Sequence, residues 1–387
     1  MDTVGNQVRI RAAVVREKKG PFRLEELQLD NRLRPDEVLV RIVASGVCQT
    51  DAHARNQEYA VPLPLVLGHE GAGVVEKVGD AVTSVRRGDR VVMSYPACGH
   101  CAACLQGQPA YCISSFPLAF GGARLDGTSA LSRNVPGGSP ETIHGHFFAQ
   151  SSFATSAIAT ERNVVKVPDS VPLELMAPLG CGLQTGAGAV FNSLKVPAGA
   201  SLAIFGTGAV GLAAVMAACI VGATSIIAVD VNDARLDLAG SLGATHVING
   251  AKEDVRKRIT ELTGAGVDYV LEMTALPRML KLAVDVLASR GVAALIGGAP
   301  TGTEAAVDMN TLLNGGRTLR GVIQGDSVPQ LFIPKLVEFY RAGRFPFDRL
   351  VRYYDFEDIN RAFDETRSGA TIKPVLRIGS VEEASKP

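Results

Sequence analysis

Cys98-Gly99-His100-Cys101-Ala102-Ala103-Cys104, followed at a distance by Cys112, makes a C-x2-C-x2-C-x7-C run. Thiolates at this spacing can close a tetrahedral shell around Zn2+, and a shell made entirely of protein ligands is the mark of a structural site. An iron–sulfur cluster is the competing reading. Its bacterial run ends in x3 and a proline, whereas this one ends in x7 without proline. His100 could compete as a ligand, but the cysteines already fill the shell, so it is assigned to the surface.

Three further groups carry chemistry. Cys48 follows Gly46 at a strand end, with Thr50 and His53 just beyond. A lone cysteine is often a small buried hydrophobe, yet this setting is one that presents a side chain to a site. His69-Glu70 stands between Gly68 and Gly71 and is either a site pair or a structural hydrogen-bonding pair. The stretch 178–189 opens a helix and supplies a third thiol, Cys181. Then Leu202-Ala203-Ile204-Phe205 runs into Gly206-Thr207-Gly208-Ala209-Val210-Gly211, and Ile226-Ile227-Ala228-Val229 ends on Asp230. Strand, glycine turn, helix, strand and acid form a dinucleotide-binding unit. The glycines give the tight turn, the close approach to a pyrophosphate and the helix–strand packing, and Asp230 would accept ribose hydroxyls. No charge occurs between Val196 and Val229, as in a membrane helix. Pro197 and the glycines would break such a span, and a buried parallel strand with its crossover helix gives the same apolar reading.

These elements need a scaffold. A chain of 387 residues is long for one core, so two domains are expected. Net charge is +0, with 39 basic and 39 acidic residues, which argues against a nucleic-acid or membrane-surface partner held by bulk charge. The first residues show neither a basic nor an apolar leader pattern, so a cytoplasmic location is expected, with thiols free. The runs 8–15 and 37–43 read as antiparallel strands, and 113–150, rich in Gly, Ser and Pro, as a long ordered loop over a site containing His144 and His146. The run 163–168 closes the β-rich part. After Asp230, helices at 253–263 and 276–287 alternate with strands at 268–272, 291–298 and 318–322. Helices at 328–342 and 356–368 lead to a last strand at 371–378, then a polar tail at 382–387 expected to fray. Cys219 reads as core.

With Cys48, Gly68-His69-Glu70, the cysteine lobe, Cys181 and Gly206 to Gly211 in this order, the chain resembles the zinc-dependent medium-chain alcohol dehydrogenases over essentially its whole length. Gly180 to Gly186 and His146 to Phe153 look most like the benzyl (aryl) alcohol branch, and geraniol-type enzymes look similar. The resemblance implies an α/β fold: a GroES-like β-rich catalytic domain over 1–183 with the zinc lobe 98–112, a Rossmann doubly wound parallel sheet over 184–323, and a return to the catalytic domain over 324–387. It implies two Zn2+ per chain and NAD. Cys48, His69 and Cys181 would be the catalytic zinc ligands, leaving a fourth position open. Glu70 matches an acid that can approach the metal, and Thr50 and His53 match a proton relay. Zinc would lower the pKa of an alcohol whose carbon then gives hydride to nicotinamide. For the coenzyme the resemblance implies Gly206, Gly208, Val210, Gly211, Asp230, Arg235 and Lys373, the last a phosphate-contacting cation. Gln49 stands where many members carry Arg on the pyrophosphate, which implies weaker coenzyme retention. Tyr95, Phe147, Phe148 and Ala299 are expected pocket walls, with plain core packing as the alternative.

The function so implied is reversible oxidation of primary aromatic or allylic alcohols to aldehydes by a homodimer or homotetramer. The alternatives are another zinc alcohol or formaldehyde dehydrogenase of the same superfamily and a non-catalytic nucleotide-binding protein. Cys181 argues against the polyol branch, which commonly places an acid there.

Overall fold

A computed structural model describes residues 6–381 and the backbone of Thr3 and Val4; the expected fraying at 382–387 lies outside these residues. The chain divides into two compact units, 1–181 with 328–337 and 350–387, and 182–327 with 338–349.

The first unit is built on two sheets. One joins Gln7–Val15, Arg23–Asp30, Leu131–Arg133 and Glu141–Ile143 in that order, with Leu65–Val66 on the other side of Gln7–Val15. The other runs Val164–Lys166, Arg90–Met93, Gly71–Val78, Glu37–Gly46, Lys373–Arg377, Val351–Asp355, and Ser156–Thr160 also pairs with Glu37–Gly46. All ten residues of Glu37–Gly46 are buried. Glu37 and Arg41 are buried along with its apolar residues, and a strand so enclosed can carry the site at its end. Its Val38, Val40 and Ile42 pack in one core with Val75 and Val91, while Leu27, Leu65, Phe147 and Phe153 fill a second. Two of these strands lie inside the stretch expected to be loop, and the intervening polar run 113–150 also holds the helix Ser115–Phe120. The strand Arg23–Asp30 was not anticipated, because Arg23, Glu25 and Glu26 interrupt its apolar alternation.

The second unit is a six-stranded parallel sheet in the order His246–Asn249, Ser225–Asp230, Ser201–Phe205, Val267–Glu272, Leu287–Leu295, Thr318–Gly321. In chain order this is 3-2-1-4-5-6, the dinucleotide-binding arrangement. The crossover helix Ala209–Val221 buries Gly211 to Ala218 completely, so its lack of charge reflects packing. Among the described residues no helix is long and apolar enough to cross a membrane. Gly211 is required by close packing: a Cβ there would sit 2.0 Å from the Gly206 carbonyl oxygen. Leu287 to Leu295 extends further toward the N-terminus than the expected 291–298, since the preceding helix stops at Asp285. Cys219 is exposed, not core; it lies in the last turn of its helix, with Sγ 3.5 Å from the Gly243 carbonyl.

Candidate active site and metal centres

The end of Glu37–Gly46 delivers Cys48 to the start of the helix Gln49–Arg55, where it is the N-cap residue with φ −127° and ψ 156°. His69 and Glu70 arrive just before the strand Gly71–Val78, paired to the same central strand. Cys181 follows the short turn Ala177–Gly180, which is tied down where Ser94 Oγ donates to the Gly180 carbonyl at 2.7 Å. The Sγ atoms of Cys48 and Cys181, a His69 ring nitrogen and a Glu70 oxygen all lie within 4.8 Å of one another. Gly46 makes this approach possible, since a Cβ there would fall 2.0 Å from Glu70 Oε2.

His69 is fully buried, and its Nδ1 lies 3.0 Å from Asp51 Oδ1. A carboxylate at that distance fixes the proton on Nδ1 and turns the Nε2 lone pair outward. Nε2 is buried and has no hydrogen-bond partner. Such an orphaned acceptor between two thiols is costly unless a cation completes it, so the residues present fit a zinc ion. Asp51 itself is buried and also accepts from the backbone N–H groups of Cys48 at 3.2 Å and Gly68 at 3.0 Å. It thereby ties the Cys48 and His69 segments together. Sequence reasoning missed Asp51, although an acid three places after an N-cap is a readable capping signal.

The electrostatics agree. Sharing a hydrogen bond with Cys181, against burial and helped by His69 and Lys373, pulls the Cys48 thiol well below its ordinary value. The same bond and burial push Cys181 well up. For His69, burial opposes the charge, but Asp51 and Cys48 outweigh it and raise its pKa well above normal. The pocket therefore favours a cation, which zinc would supply in exchange for protons. Burial pushes Glu70 up to about 7 despite Lys373. Lys373 is buried, and its Nζ donates at 3.0 Å to both Glu70 oxygens and to the Val47 carbonyl. It is thereby the counter-ion of Glu70.

Thr50 Oγ1 lies 3.9 Å from Cys48 Sγ. His53 sits in the last turn of the same helix, with Nδ1 against the Glu58 carboxylate, and that contact lowers the pKa of Glu58. A chain of rings runs from here to His69. His53 lies 5.2 Å from Tyr59, Tyr59 5.4 Å from Phe120, Phe120 5.3 Å from Phe148, and Phe148 4.5 Å from His69. Phe147 and Tyr95 are buried in the same apolar cluster, whereas Ala299 belongs to the second unit. Tyr59 and Phe120 were not anticipated; Phe116 and Phe120, four apart on one helix, were the available signal. The wall is backbone-strained: His146, Phe148, Ala149 and Ser151 have φ of 57°, 52°, 51° and 54°. Each such residue costs roughly 1–3 kcal/mol and persists only where the surroundings hold it.

In the lobe, the sulfurs of Cys98, Cys101, Cys104 and Cys112 lie within 4.8 Å of one another. Backbone N–H groups of Cys104 and Ile113 lower the Cys101 thiol to about 6, while burial and the neighbouring sulfurs push Cys104 to about 12. His100 is exposed, its Nδ1 3.0 Å from the Cys98 carbonyl, and stands outside the cluster.

In the second unit, a Cβ at Gly208 would meet nothing within 4 Å, so the helix start beside Val210 is open to a ligand. Asp230 Oδ2 accepts from the Thr207 N–H at 2.7 Å and its hydroxyl at 2.8 Å, and Oδ1 accepts from the Val231 and Asn232 N–H groups. Arg235 Nε is buried without a hydrogen-bond partner.

A dinucleotide-type sheet in one unit, and in the other a Cys–His–Cys centre beside an all-cysteine lobe, define a zinc dehydrogenase class. Comparison with known proteins agrees. Residues 34–169 match the alcohol dehydrogenase GroES-like domain and residues 209–340 the zinc-binding dehydrogenase domain. A geraniol dehydrogenase from Castellaniella defragrans is 44% identical over 378 residues, 97% of this chain and 100% of that protein. The crystal structure of an alcohol dehydrogenase zinc-binding domain protein from Burkholderia ambifaria is 56% identical, covers 96% of this chain and 99% of that one, and superposes with a TM-score of 0.93. That of benzyl alcohol dehydrogenase from Acinetobacter calcoaceticus is 48% identical over the same shares, with a TM-score of 0.92. The chain belongs to the zinc-dependent medium-chain alcohol dehydrogenase family.

Proposed function

We propose that this enzyme oxidises primary aromatic or allylic alcohols to aldehydes with NAD, reversibly, using one zinc at Cys48, His69 and Cys181 and a second in the cysteine lobe. The observation that carries the reading is the unpartnered Nε2 of His69, set between two thiols and beneath the Phe148 ring. Zinc bound there would lower the pKa of the alcohol, and NAD would accept the hydride.

The chain's own residues do the rest. Asp51 holds His69 in the ligating tautomer. The Thr50 hydroxyl beside Cys48 receives the alcohol proton by hydrogen bond, and His53, poised against Glu58, passes it toward solvent. Phe147, Phe148, Phe120 and Tyr59 keep water away and offer flat apolar faces to an aryl ring or a double bond. This substrate class is supported by the relatives named for benzyl alcohol and geraniol. Asp230 favours NAD, because a carboxylate at that place repels a 2′-phosphate.

The free thiols suit a reducing cytoplasm. The sheet ends on Thr318–Gly321, exposed throughout, an edge suited to assembly of copies into a dimer or tetramer.

The test is NADH formation from benzyl, cinnamyl, geranyl, ethyl and sorbitol-type alcohols in parallel, with and without a strong zinc chelator. Chelator-sensitive turnover fastest on benzyl, cinnamyl or geranyl alcohol is expected. Equal or faster turnover of ethanol or the polyol would overturn the substrate class.

A further inference from the structure

Beside Cys48, residues of the helices Gln49–Arg55 and Ile359–Ser368 line a cavity of about 60 Å³. Gln49, Arg55, Asn56, Phe363, Thr366 and Arg367 contribute to its wall, and no acidic side chain does. Gln49 and Asn56, seven apart, share the helix face toward the cavity, and Arg55 stands at the end of that face.

Arg55 is an unusual cation. It is half-buried, its Nε is buried without a hydrogen-bond partner, and no carboxylate lies within ion-pair distance of it among the described residues. Ring faces hold it instead, with the guanidinium carbon 5.6 Å from the centre of Phe22 and 5.2 Å from that of Phe363. Such packing fixes the plane and leaves the N–H edge available. Arg367 pairs with Asp364 through Nη2 at 2.8 Å. Burial, opposed by Asp364 and reinforced by the like charge of Arg367, holds the Arg55 guanidinium below its ordinary value. Asp364 outweighs the repulsion between the two guanidinium groups, but it is not part of the cavity wall, and an anion inside the cavity would meet both cations and the unpartnered Arg55 Nε–H.

We propose that this cavity binds a phosphate group, with Arg55 and Arg367 as its cations, and that it supplies from farther along the same helix the positive charge that Gln49 does not. The phosphate is either part of the dinucleotide's pyrophosphate, which rests on the NAD reading above, or free inorganic phosphate. Gln49, Asn56 and Thr366 add neutral hydrogen-bonding groups at the rim.

The zinc-loaded enzyme and its Arg55→Gln, Arg55→Lys and Arg367→Gln variants are titrated with NADH by nicotinamide fluorescence and with inorganic phosphate by calorimetry. Both glutamine variants should weaken phosphate binding about tenfold or more, and the lysine variant less, because it keeps the charge. A parallel loss of NADH affinity, with phosphate competing against NADH, identifies the coenzyme as the source. Unchanged NADH affinity with weakened phosphate binding identifies the free anion. Unchanged affinities for both ligands in Arg55→Gln and Arg367→Gln overturn the proposal. Should the parent enzyme bind no NADH, the NAD reading fails while the phosphate titration still decides the cavity.

Discussion

At the scale of single residues, Asp51 does more than any side chain its size should. One carboxylate orients His69 and accepts from the backbone beside Cys48 and before His69. Replacing it by asparagine keeps the shape but removes the charge that holds the imidazole proton. Loss of such outer partners lowers metal affinity about 10- to 100-fold. Asp51→Asn is therefore expected to give up its active-site zinc to a competing chelator at correspondingly lower concentration, while the lobe zinc stays. Equal retention at both sites would show that Asp51 serves only the backbone.

His146 provides the residue-scale pH prediction. It is buried, its Nε2 accepts from the Ala130 N–H at 3.3 Å, and burial lowers its pKa to about 3. An unfolded histidine titrates near 6.5, so the folded state binds its proton less readily than the unfolded chain. Its contribution to stability is then complete above about pH 6.5 and falls as pH drops from there toward about 3, by about 1.4 kcal/mol per unit. His146→Gln retains an acceptor but not the titration. Urea midpoints compared between pH 7.5 and 5.5 should fall more for the parent than for the variant; parallel losses would assign the acid sensitivity elsewhere.

At the scale of elements, the cysteine lobe has little core of its own. Its only helical pieces are Ala102–Leu105 and Pro109–Tyr111, Leu105 and Ile113 are exposed, and Cys101, Ala110 and Cys112 are its buried residues. A segment so poor in core would take its order from a metal held by its cysteines. Cys104→Ser should halve the zinc content and lower Tm by several degrees, and the remaining zinc should stay chelator-sensitive at Cys48, His69 and Cys181. Full zinc content in the variant would mean the lobe is not a metal site. This lobe, the glycine turn and the fold class were legible because covalent spacing and backbone sterics dictate them locally. The local signals of Asp51 and Phe120 could be read, but not their roles or that of Tyr59, since ring stacking and the His69 contact depend on segments distant in sequence. The strained run from His146 to Ser151 was equally hidden, for nothing in His-Phe-Phe-Ala-Gln-Ser announces left-handed backbone.

At the scale of the whole molecule, the parallel sheet has an open question at one side. Thr318–Gly321 is its last strand, with all four residues exposed, and no strand neighbours its outer side among the described residues. Unpaired edges invite pairing unless charge or proline blunts them, and Thr-Leu-Arg-Gly offers one charge and no proline. Met309 and Leu313 on the adjacent helix are 83% and 76% exposed, and Ile323 just beyond the strand is 54% exposed. An isolated chain gains nothing by keeping large apolar groups in water, whereas a second copy meeting the edge would bury them and pair the strands across a twofold axis. Met309→Glu with Leu313→Glu places two charges in that contact without touching the sheet's own hydrogen bonds. The parent should sediment as a dimer or tetramer and the double variant as a smaller species with an unchanged far-ultraviolet spectrum. An unaltered sedimentation coefficient in the variant would move the assembly surface away from this edge.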